Sequence, residues 1–476
     1  AYRTRAMGPV LGWIRGTGRV EGKVTAAHRH HQHRRRLCLR LTQRRMAGKR
    51  AAGESGGQGF GVPTLPLPIP TLSDEPGSWA FDTMSRRVNE EILRGMVMTD
   101  NEADLSDAAR ERLREFSREL ERAGETTLRP IAQDGGADVD AWNAILSQYE
   151  GLTWLTAPWV VTEYYFYRRI LEACGYFAGE LGDPFERQKE NGLASCAPAL
   201  SPLAKLANGA CASRTDEDVE LNFKALLLTS LWGNRMDLSI WPAETEEDVE
   251  SGQRAAEAMA EVIGSSSTML LADHSERVWL EVSRRGGRMD LVLDNAGFEL
   301  VTDLCLADFL VTSGLASKVV LHAKAYPVFV SDAMEKDVLG TIRELALAQG
   351  TGMEEAAARW RGHIEHGRWE VREDEFWCTP LAFWEMPDRI TSHLEGSRMC
   401  FVKGDANYRR QLGERQWKHD TPFEDVSAYW GCPVCCLRTM KSEVACGISR
   451  EDERRASEED GSWLVSGRYG VVHART

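Results

Sequence analysis

The spacing of hydrophobic residues divides the chain into a helical part and a part in which strands alternate with helices. Up to about residue 264, apolar positions recur three and four residues apart, which is the period of an amphipathic helix. From about residue 265 they form short runs, each followed by a helical stretch. Strands that alternate with helices predict a parallel sheet covered on both faces. The predicted helices of the first part are residues 82–98, 106–123, 161–174, 222–231 and 244–262.

Short apolar runs in the second part are the candidate strands: residues 289–293, 318–323, 375–379, 398–402 and 442–446. We therefore predict an α/β fold, an α/β/α sandwich with a mostly parallel sheet, preceded by a helical N-terminal domain. The predicted boundaries are a basic tail or leader over 1–60, a helical domain with a Pro-rich entry strap over 61–264, and an α/β/α domain over 265–476.

The tail over 1–60 lacks hydrophobic periodicity and is rich in Arg, His, Gly and Ala, so we expect it to be disordered. Its first 50 residues contain fourteen Lys or Arg and a single acidic residue, Glu21. Such a leader is typical of an organelle transit peptide, and equally of a gene model extended too far. Without targeting, we expect the protein in the cytoplasm.

The charge of the chain argues against nucleic acid as a partner. The formal net charge is -14, and the basic tail makes the remainder more acidic still. An acidic body repels polyphosphate backbones, whereas a small phosphorylated metabolite requires only a cation and a few basic groups. No uninterrupted apolar run approaches the roughly 18 to 20 residues of a membrane span, so we expect a soluble protein with no membrane partner.

The cysteines indicate a reducing compartment. There are eleven, scattered along the chain and mostly in apolar contexts, which is not the pattern of a disulfide scaffold. Cys432 and Cys435 have CxxC spacing, but no second pair completes a zinc site. We interpret them as structural thiols.

Oxygen-bearing side chains follow two of the candidate strands. Asp294 and Asn295 come directly after the run 289–293, and Asp332 lies in the loop region after the run 318–323. Ligands of parallel sheets bind beyond the carboxyl ends of the strands. Alone, Asp294 is explained as a helix N-cap, but three converging oxygen ligands favour Mg²⁺ or Mn²⁺. Such an ion polarises a phosphoryl group.

Two further segments offer substrate contacts. After the run 398–402, Gly404 allows the backbone to approach a ligand closely, and Asp405 and Asn407 suit sugar hydroxyls. Lys441, in the segment 438–441, is a candidate phosphate clamp.

One predicted helix carries polar residues in aromatic company. Glu163, Arg168 and Arg169 share the helix 161–174 with four aromatic residues. They favour ion pairs between the domains, with a wall of a sugar pocket as the functional alternative.

These motifs, in this order, make the chain resemble the family once called domain of unknown function eighty-nine. In particular it is similar to the third subfamily, the damage-control or sugar-phosphate phosphatases, sometimes named acidic-residue methyltransferases. The resemblance covers roughly residues 61–476. Its carriers are residues 157–170, 183–189, 230–239, 291–304, 322–332, 403–417, 438–441 and 466–472.

The resemblance implies a helical domain on an α/β/α domain and a metal-dependent phosphomonoesterase, with Mn²⁺, Co²⁺ or Ni²⁺ as the cofactor. Fructose 1-phosphate and similar sugar phosphates are the implied substrates. It places the metal ligands, which also contact substrate, on Asp294, Asn295 and Asp332. The remaining implied substrate contacts are Gly404, Asp405, Ala406, Asn407, Tyr408 and Lys441, the last residue of the RTxK motif.

The sequence departs from the family pattern at two positions, since Val328 replaces the usual Trp and Ala406 a common Leu. The first is expected to alter the pocket wall.

Two other functions compete with the phosphatase. A methyltransferase using S-adenosylmethionine on protein carboxylates is attributed to the same family, but its nucleotide-binding turn usually has several glycines, and here only Gly297 follows the strand. A non-enzymatic binding module would be favoured by loss of the three oxygen ligands, and all three are present. The sequence therefore favours a phosphatase of small phosphorylated metabolites.

Overall fold

The computed structural model describes residues 60–213, 215–239, 264 and 268–476, with only the backbone of 234–239. The tail over 1–59 and the predicted helix 244–262 lie outside the described residues. The helices of the first part are α1 Trp79–Asp82, a π-helix Thr83–Met98 that continues it, α2 Asp107–Leu120, α3 Val139–Leu146, α4 Trp159–Cys174, α5 Glu186–Ser195, α6 Ala197–Cys211 and α7 Asp216–Ser239. The other four predicted helices are confirmed.

Local signals explain where these helices begin and end. The Ser106 side chain accepts a hydrogen bond from the amide of Ala109 and caps the start of α2. Leu113 and Phe116 lie on the buried face of α2. Gly175, with φ 70°, ends α4 in the left-handed conformation that glycine adopts readily.

The second part contains a seven-stranded sheet. Its strands are β1 Leu270–Asp273, β2 Arg288–Val292, β3 Lys318–Lys324, β4 Trp369–Asp374, β5 Ser397–Lys403, β6 Val434–Thr439 and β7 Gly470–Arg475, in the order β1-β7-β6-β5-β2-β3-β4. All neighbours pair in parallel except β6 and β7. The helices of this part are α8 Ser275–Val282, α9 Phe298–Thr312, α10 Glu335–Leu345, α11 Met353–Glu365, α12 Asp388–Leu394, α13 Asp405–Gln411, α14 Phe423–Val426 and α15 Arg450–Glu459. The predicted α/β fold with a mostly parallel sheet is confirmed.

Two of the five predicted strands are wrong. Residues 375–379 begin as a 3-10 helix, because the Asp374 side chain accepts from the amide of Phe376 and turns the chain after β4. Residues 442–446 form a loop after β6. Two of its carbonyls, those of Ser442 and Val444, accept hydrogen bonds from Arg438, so the segment is buried without joining the sheet.

The hydrophobic clusters show how the two parts meet. Helices α6 and α7 pack with α9 and one face of the sheet. Helices α2 and α4 build a separate cluster that also takes in Tyr326 and Val328, from the loop after β3. The loop that leads to Asp332 is therefore anchored among the helices of the first part of the chain, called the helical segment below. The domain boundary near residue 264 stays a prediction.

The entry strap is extended and packs on the second part. The amides of Gly61 and Thr71 donate to the carbonyls of Tyr429 and Glu414. Among the described helices, none is both long and apolar enough to cross a membrane.

None of the cysteines in the described part of the chain forms a disulfide, and Cys432 and Cys435 are buried. Burial raises the pKa of the Cys432 thiol to about 12, which disfavours the reactive thiolate and agrees with a structural role.

Candidate functional site

Four neighbouring strands bring the predicted residues to one edge of the sheet. Asp294 follows β2, Asp332 lies in the loop after β3, Gly404 follows β5 directly, and Lys441 follows β6. Because β6, β5, β2 and β3 are adjacent and parallel, their carboxyl ends meet at this edge.

A cleft of about 750 Å³ opens over this edge, between the sheet and the helical segment. Seven of the nine predicted site residues line it: Asp294, Asn295, Asp332, Gly404, Asp405, Ala406 and Lys441. Phe329 and Val330 line it too, whereas Val328 packs into the helical cluster. Val328 itself is therefore not a lining residue of the cleft, and the effect of this departure on the pocket wall stays a prediction.

Main-chain hydrogen bonds hold the two acidic loops side by side. The amide of Ala333 donates to the carbonyl of Asp294 at 2.7 Å, and the amide of Ala296 donates to the carbonyl of Ser331 at 2.6 Å. Asn295 and Asp332 form an isolated antiparallel bridge. The carboxylates of Asp294 and Asp332 are thus placed by backbone contacts between neighbouring strand ends.

The Asn295 amide joins the acids of the site. Its Nδ2 donates to Asp294 Oδ2 at 2.8 Å and to Glu299 Oε2 at 2.9 Å, while Oδ1 accepts from Ser331 Oγ at 2.6 Å. Rotation of the amide by half a turn presents Oδ1 to the two acids and Nδ2 to the serine, which also accepts hydrogen bonds. The side chain therefore suits a cation between the acids as well as the arrangement observed.

Burial makes charge on these acids costly. Burial raises the pKa of Asp294 well above its usual value, and the charges of Glu299 and Asp332 raise it further, against Lys324 and Lys441. Burial also raises the pKa of Asp332, although Lys324 Nζ lies 3.1 Å from its Oδ2. A divalent cation with oxygen ligands would relieve this repulsion, so the residues present fit one.

Gly404 makes room for Asp294. With φ 85° and ψ 170° it occupies a region open essentially to glycine alone. A Cβ at this position would lie 2.0 Å from the carboxyl carbon of Asp294. The close approach predicted for Gly404 is thus an approach to a site carboxylate.

Asp405 lines the cleft, but its Oδ1 already accepts hydrogen bonds from β6 and from the loop that follows it. It accepts from Arg438 Nε at 2.7 Å, from Ser442 Oγ at 3.1 Å and from the amide of Lys441 at 3.3 Å. Asp405 therefore holds the loop that carries Lys441.

Asn407 and Tyr408 lie beneath the cleft. Asn407 Nδ2 donates to the carbonyls of Leu293 and Lys403, and the Tyr408 hydroxyl is 3.1 Å from His473 Nδ1. They point to the core because α13 begins at Asp405 and turns its next residues inward. Their contact with substrate stays a prediction.

The contacts of Glu163, Arg168 and Arg169 on α4 distinguish between ion pairing and a place in the wall of the pocket. Arg168 pairs with Asp134, and Arg169 with Glu119, both inside the helical segment. Glu163 alone of the three pairs across the cleft and also lines it.

The helical wall of the cleft contains residues that the sequence did not single out as functional. Trp79, Thr83, Arg87 and Glu91 line it opposite the strand ends. The polar residues recur at intervals of four along the π-helix, and that spacing was the signal available. It does not by itself say that the helix faces a site.

A second group of side chains offers the ligand atoms of a metal-binding triad. Ligand atoms of Asp290, His322 and His393 all lie within 4.8 Å of one another. Both His322 Nε2, at 2.8 Å, and His393 Nε2, at 2.9 Å, approach Asp290 Oδ1. Arg288 Nε donates to Asp290 Oδ2 at 2.8 Å, and Arg372 lies 3.0 Å from His393 Nδ1. These two cations disfavour a metal ion beside them.

Most of the chain is similar to known proteins. Residues 81–456 match the family described as damage-control phosphatase ARMT1-like domain. Damage-control phosphatase ARMT1 of Danio rerio is 32% identical over 366 residues, covering 71% of this chain and 80% of that protein. Its counterpart in Xenopus tropicalis is 30% identical over 438 residues, covering 84% and 97%. A crystal structure of a duf89 family protein from Pyrococcus horikoshii is similar with TM-score 0.43 and 14% identity, covering 77% of this chain and 95% of that one.

Proposed function

Because this chain belongs to the damage-control phosphatase ARMT1-like family, as its motifs predicted, we propose that it is a metal-dependent phosphatase of small phosphorylated metabolites. The observation that carries the proposal is the pair of buried carboxylates, Asp294 and Asp332, held side by side at the floor of a cleft that Lys441 also lines.

We assign the cation to Asp294, Asn295 and Asp332. Mn²⁺ is the proposed ion, with Co²⁺, Ni²⁺ or Mg²⁺ as substitutes, because carboxylate and amide oxygens suit such cations. When bound, the ion supplies Lewis-acid polarisation of a phosphoryl oxygen. Glu299 and Ser331 orient the Asn295 amide through its two ends.

Lys441 receives the phosphate. Its ammonium acts on the charge of Asp294, so it lies within electrostatic reach of the proposed cation. Lys441 also lines the same cleft as Asp294 and Asp332. We therefore expect its ammonium to donate a charge-assisted hydrogen bond to a phosphoryl oxygen in the ground state as well as in the transition state.

Sugar phosphates such as fructose 1-phosphate are the proposed substrates. The cleft is larger than a phosphate group needs, and its walls carry both aromatic and polar side chains, such as Trp79 and Glu91.

Turnover of an aryl phosphate with and without Mn²⁺ tests the function. We expect activity with Mn²⁺, its loss after chelation and its return with Mn²⁺ or Co²⁺. Full activity after exhaustive chelation would refute the metal assignment. A panel of sugar phosphates then tests the substrate class.

Two variants separate binding from catalysis. Lys441→Met is expected to raise KM by roughly ten- to a hundredfold, because it loses a charge-assisted hydrogen bond to phosphate. Asp332→Ala is expected to collapse kcat, because the cation is needed where charge develops. Near-normal kcat in a folded Asp332→Ala protein would remove this residue from the ligand set.

A further inference from the structure

The helical wall of the cleft presents an arginine that is held in place on three sides. Arg87 Nε donates to Glu91 Oε2 at 3.2 Å, and its Nη1 lies 3.5 Å from Thr83 Oγ1. Its guanidinium lies over the ring of Trp79, 4.3 Å from the centroid. These contacts orient the planar fork before any ligand arrives, which reduces the entropy lost on binding.

The same wall is fixed to the loop of the proposed phosphate clamp. The amide of Trp79 donates to Glu443 Oε1 at 3.1 Å, and Glu443 is two residues after Lys441. Trp79 and Lys441 both line the cleft, and this hydrogen bond fixes the position of one relative to the other.

The cleft leaves space on this side for the rest of a substrate. Its volume is about 750 Å³, within the range of whole small-molecule sites, whereas a phosphoryl group fills only a small part of such a volume. With the phosphate on the strand ends, the non-phosphate portion extends toward the wall of Arg87 and Glu91.

The chemistry of this wall fits hydroxyl groups. An arginine donates only and a carboxylate accepts only, so the pair offers both functions side by side to a hydroxyl, which does both. The side chains of Arg87 and Glu91 remain 29% and 48% exposed, so their remaining donors and acceptors are accessible. Glu91 accepts from both Arg86 and Arg87, and Arg86 is also paired with Asp82 and Glu90. Because the acids of this wall balance its two arginines, the pair of Arg87 and Glu91 favours a neutral polyol portion over a second anion.

We propose that Arg87 and Glu91, backed by Trp79, recognise the hydroxyl groups of a sugar or polyol portion and so determine which phosphate esters this protein hydrolyses. The inference rests on the proposed phosphatase function and deepens it. The pair touches the substrate at a distance from the reacting bond, so it sets KM for hydroxylated substrates without taking part in phosphoryl transfer.

Steady-state kinetics on two substrates test the proposal. The variants are Arg87→Met and Glu91→Gln, and the substrates are fructose 1-phosphate and p-nitrophenyl phosphate, which has no hydroxyl group on its leaving portion. We expect kcat/KM for the sugar phosphate to fall roughly ten- to a hundredfold, mainly through KM, because charged hydrogen bonds are lost. With the aryl phosphate both variants should stay within about twofold of wild type, which also shows that they are folded.

A neighbouring residue provides the matched control. Glu90 pairs with Arg86 and does not line the cleft. Glu90→Gln should leave the kinetics on both substrates unchanged. Equal losses on both substrates in Arg87→Met, or no loss on either, would overturn the proposal. Absence of turnover of both substrates by the wild type would instead refute the phosphatase function itself.

Discussion

Glu163 of α4 and Arg409 of α13 form a buried ion pair that joins the two walls of the cleft, with Oε2 and Nη1 2.7 Å apart. Arg409 also pairs with Glu414, and its guanidinium lies 3.8 Å from the centroid of the Trp159 ring. One arginine of the strand-end wall thus balances two acids, one of them supplied by the helical segment. Its charge is engaged in holding the cleft together.

This arrangement predicts unequal costs for removing the two partners. Arg409→Met leaves Glu163 and Glu414 buried without their cation, so we expect a loss of about 3–5 kcal/mol in the free energy of unfolding. Glu163→Gln leaves Arg409 with Glu414 and should cost clearly less. Urea unfolding of the single and double variants measures both the costs and their coupling.

An exposed ion pair of the helical segment serves as the control. Arg112 and Glu180 are 2.8 Å apart, but their side chains are 38% and 39% exposed. Glu180→Gln should change the unfolding free energy by no more than about 1 kcal/mol. Equal costs for Arg409→Met and Glu180→Gln would contradict the assignment of Arg409 as a buried tie between the walls.

The two groups of possible metal ligands predict different effects on metal-induced stabilisation. Binding to the folded state alone raises the melting temperature, and a ligand at a hundred times its Kd contributes about 2.7 kcal/mol. We expect Mn²⁺ to raise the melting temperature of wild type, and Asp294→Asn and Asp332→Asn to abolish that rise. Differential scanning fluorimetry with and without the ion measures it.

The matched variant carries His322→Gln and His393→Gln together. Arginine only donates, so Arg372 requires Nδ1 of His393 to accept, which leaves the proton on Nε2 facing Asp290. The double variant should therefore keep the Mn²⁺-induced rise, whatever its melting temperature without metal. Loss of the rise in this variant, with its retention in the two aspartate variants, would move the metal centre to the histidines.

Gly404→Ala is expected to disable the site. The new Cβ meets the carboxyl group of Asp294, and the backbone region costs a non-glycine residue about 1–3 kcal/mol. Since the obstructing group is a proposed ligand, we expect a loss of kcat and of metal affinity, measured by turnover and by calorimetric titration with Mn²⁺.

Gly192 offers the comparison, because it also lines the cleft but has no atom within 4 Å of an added Cβ. It lies inside α5, where alanine is the better helix former. Gly192→Ala should therefore retain both activity and metal affinity. A Gly404→Ala protein that binds Mn²⁺ like Gly192→Ala would show that Asp294 does not need this space.

Acid unfolding is expected to depend on His473. Burial, together with the charges of His274 and Arg438, lowers the pKa of His473 to about 3. A lowered histidine pKa means that the unfolded state binds the proton more readily. The stabilisation is therefore complete above about 6.5 and is lost as the pH falls from there toward 3, by about 1.4 kcal/mol per pH unit.

His473→Phe tests this dependence, since the ring of His473 stacks on Phe423 with centroids 4.7 Å apart and an aromatic replacement keeps that contact. The variant loses the contact with the Tyr408 hydroxyl, so its stability at pH 7 is lower. Its urea midpoint should nevertheless fall less steeply between pH 6.5 and 4 than that of wild type. Substitution of the exposed His366 by Gln should leave the slope unchanged, and an unchanged slope in His473→Phe would assign the acid sensitivity elsewhere.

The sequence predicted the strand-end residues well, because the carboxyl ends of parallel strands converge whatever their order in the chain. Asp294 and Asp332 needed only β2 and β3, whose apolar runs are clear. A segment that is buried but does not form a strand was harder to predict. Residues 442–446 are mostly buried, and Arg438 holds two of their carbonyls in the core, a contact that no local pattern records.

The residues of the helical wall of the cleft could not be predicted from the sequence for the same reason. Thr83, Arg87 and Glu91 have the spacing of an ordinary solvated helix face, and only tertiary packing turns that face toward the strand ends. Glu163 was singled out for its aromatic surroundings, but its partner, Arg409, is 246 residues away in the chain. Site residues that depend on such long-range pairs leave little trace in one sequence.

Tyr326 and Val328 sit in the hydrophobic cluster of the helical segment, only a few residues before Asp332. The part of the chain that forms the sheet therefore does not carry a complete cleft as a portable unit. Recombination that joined the sheet to an unrelated helical partner would expose these apolar side chains to water. It would also free the loop that carries the Asp332 carboxylate. The two halves are consequently expected to be inherited together, with changes at their junction accepted in compensating pairs.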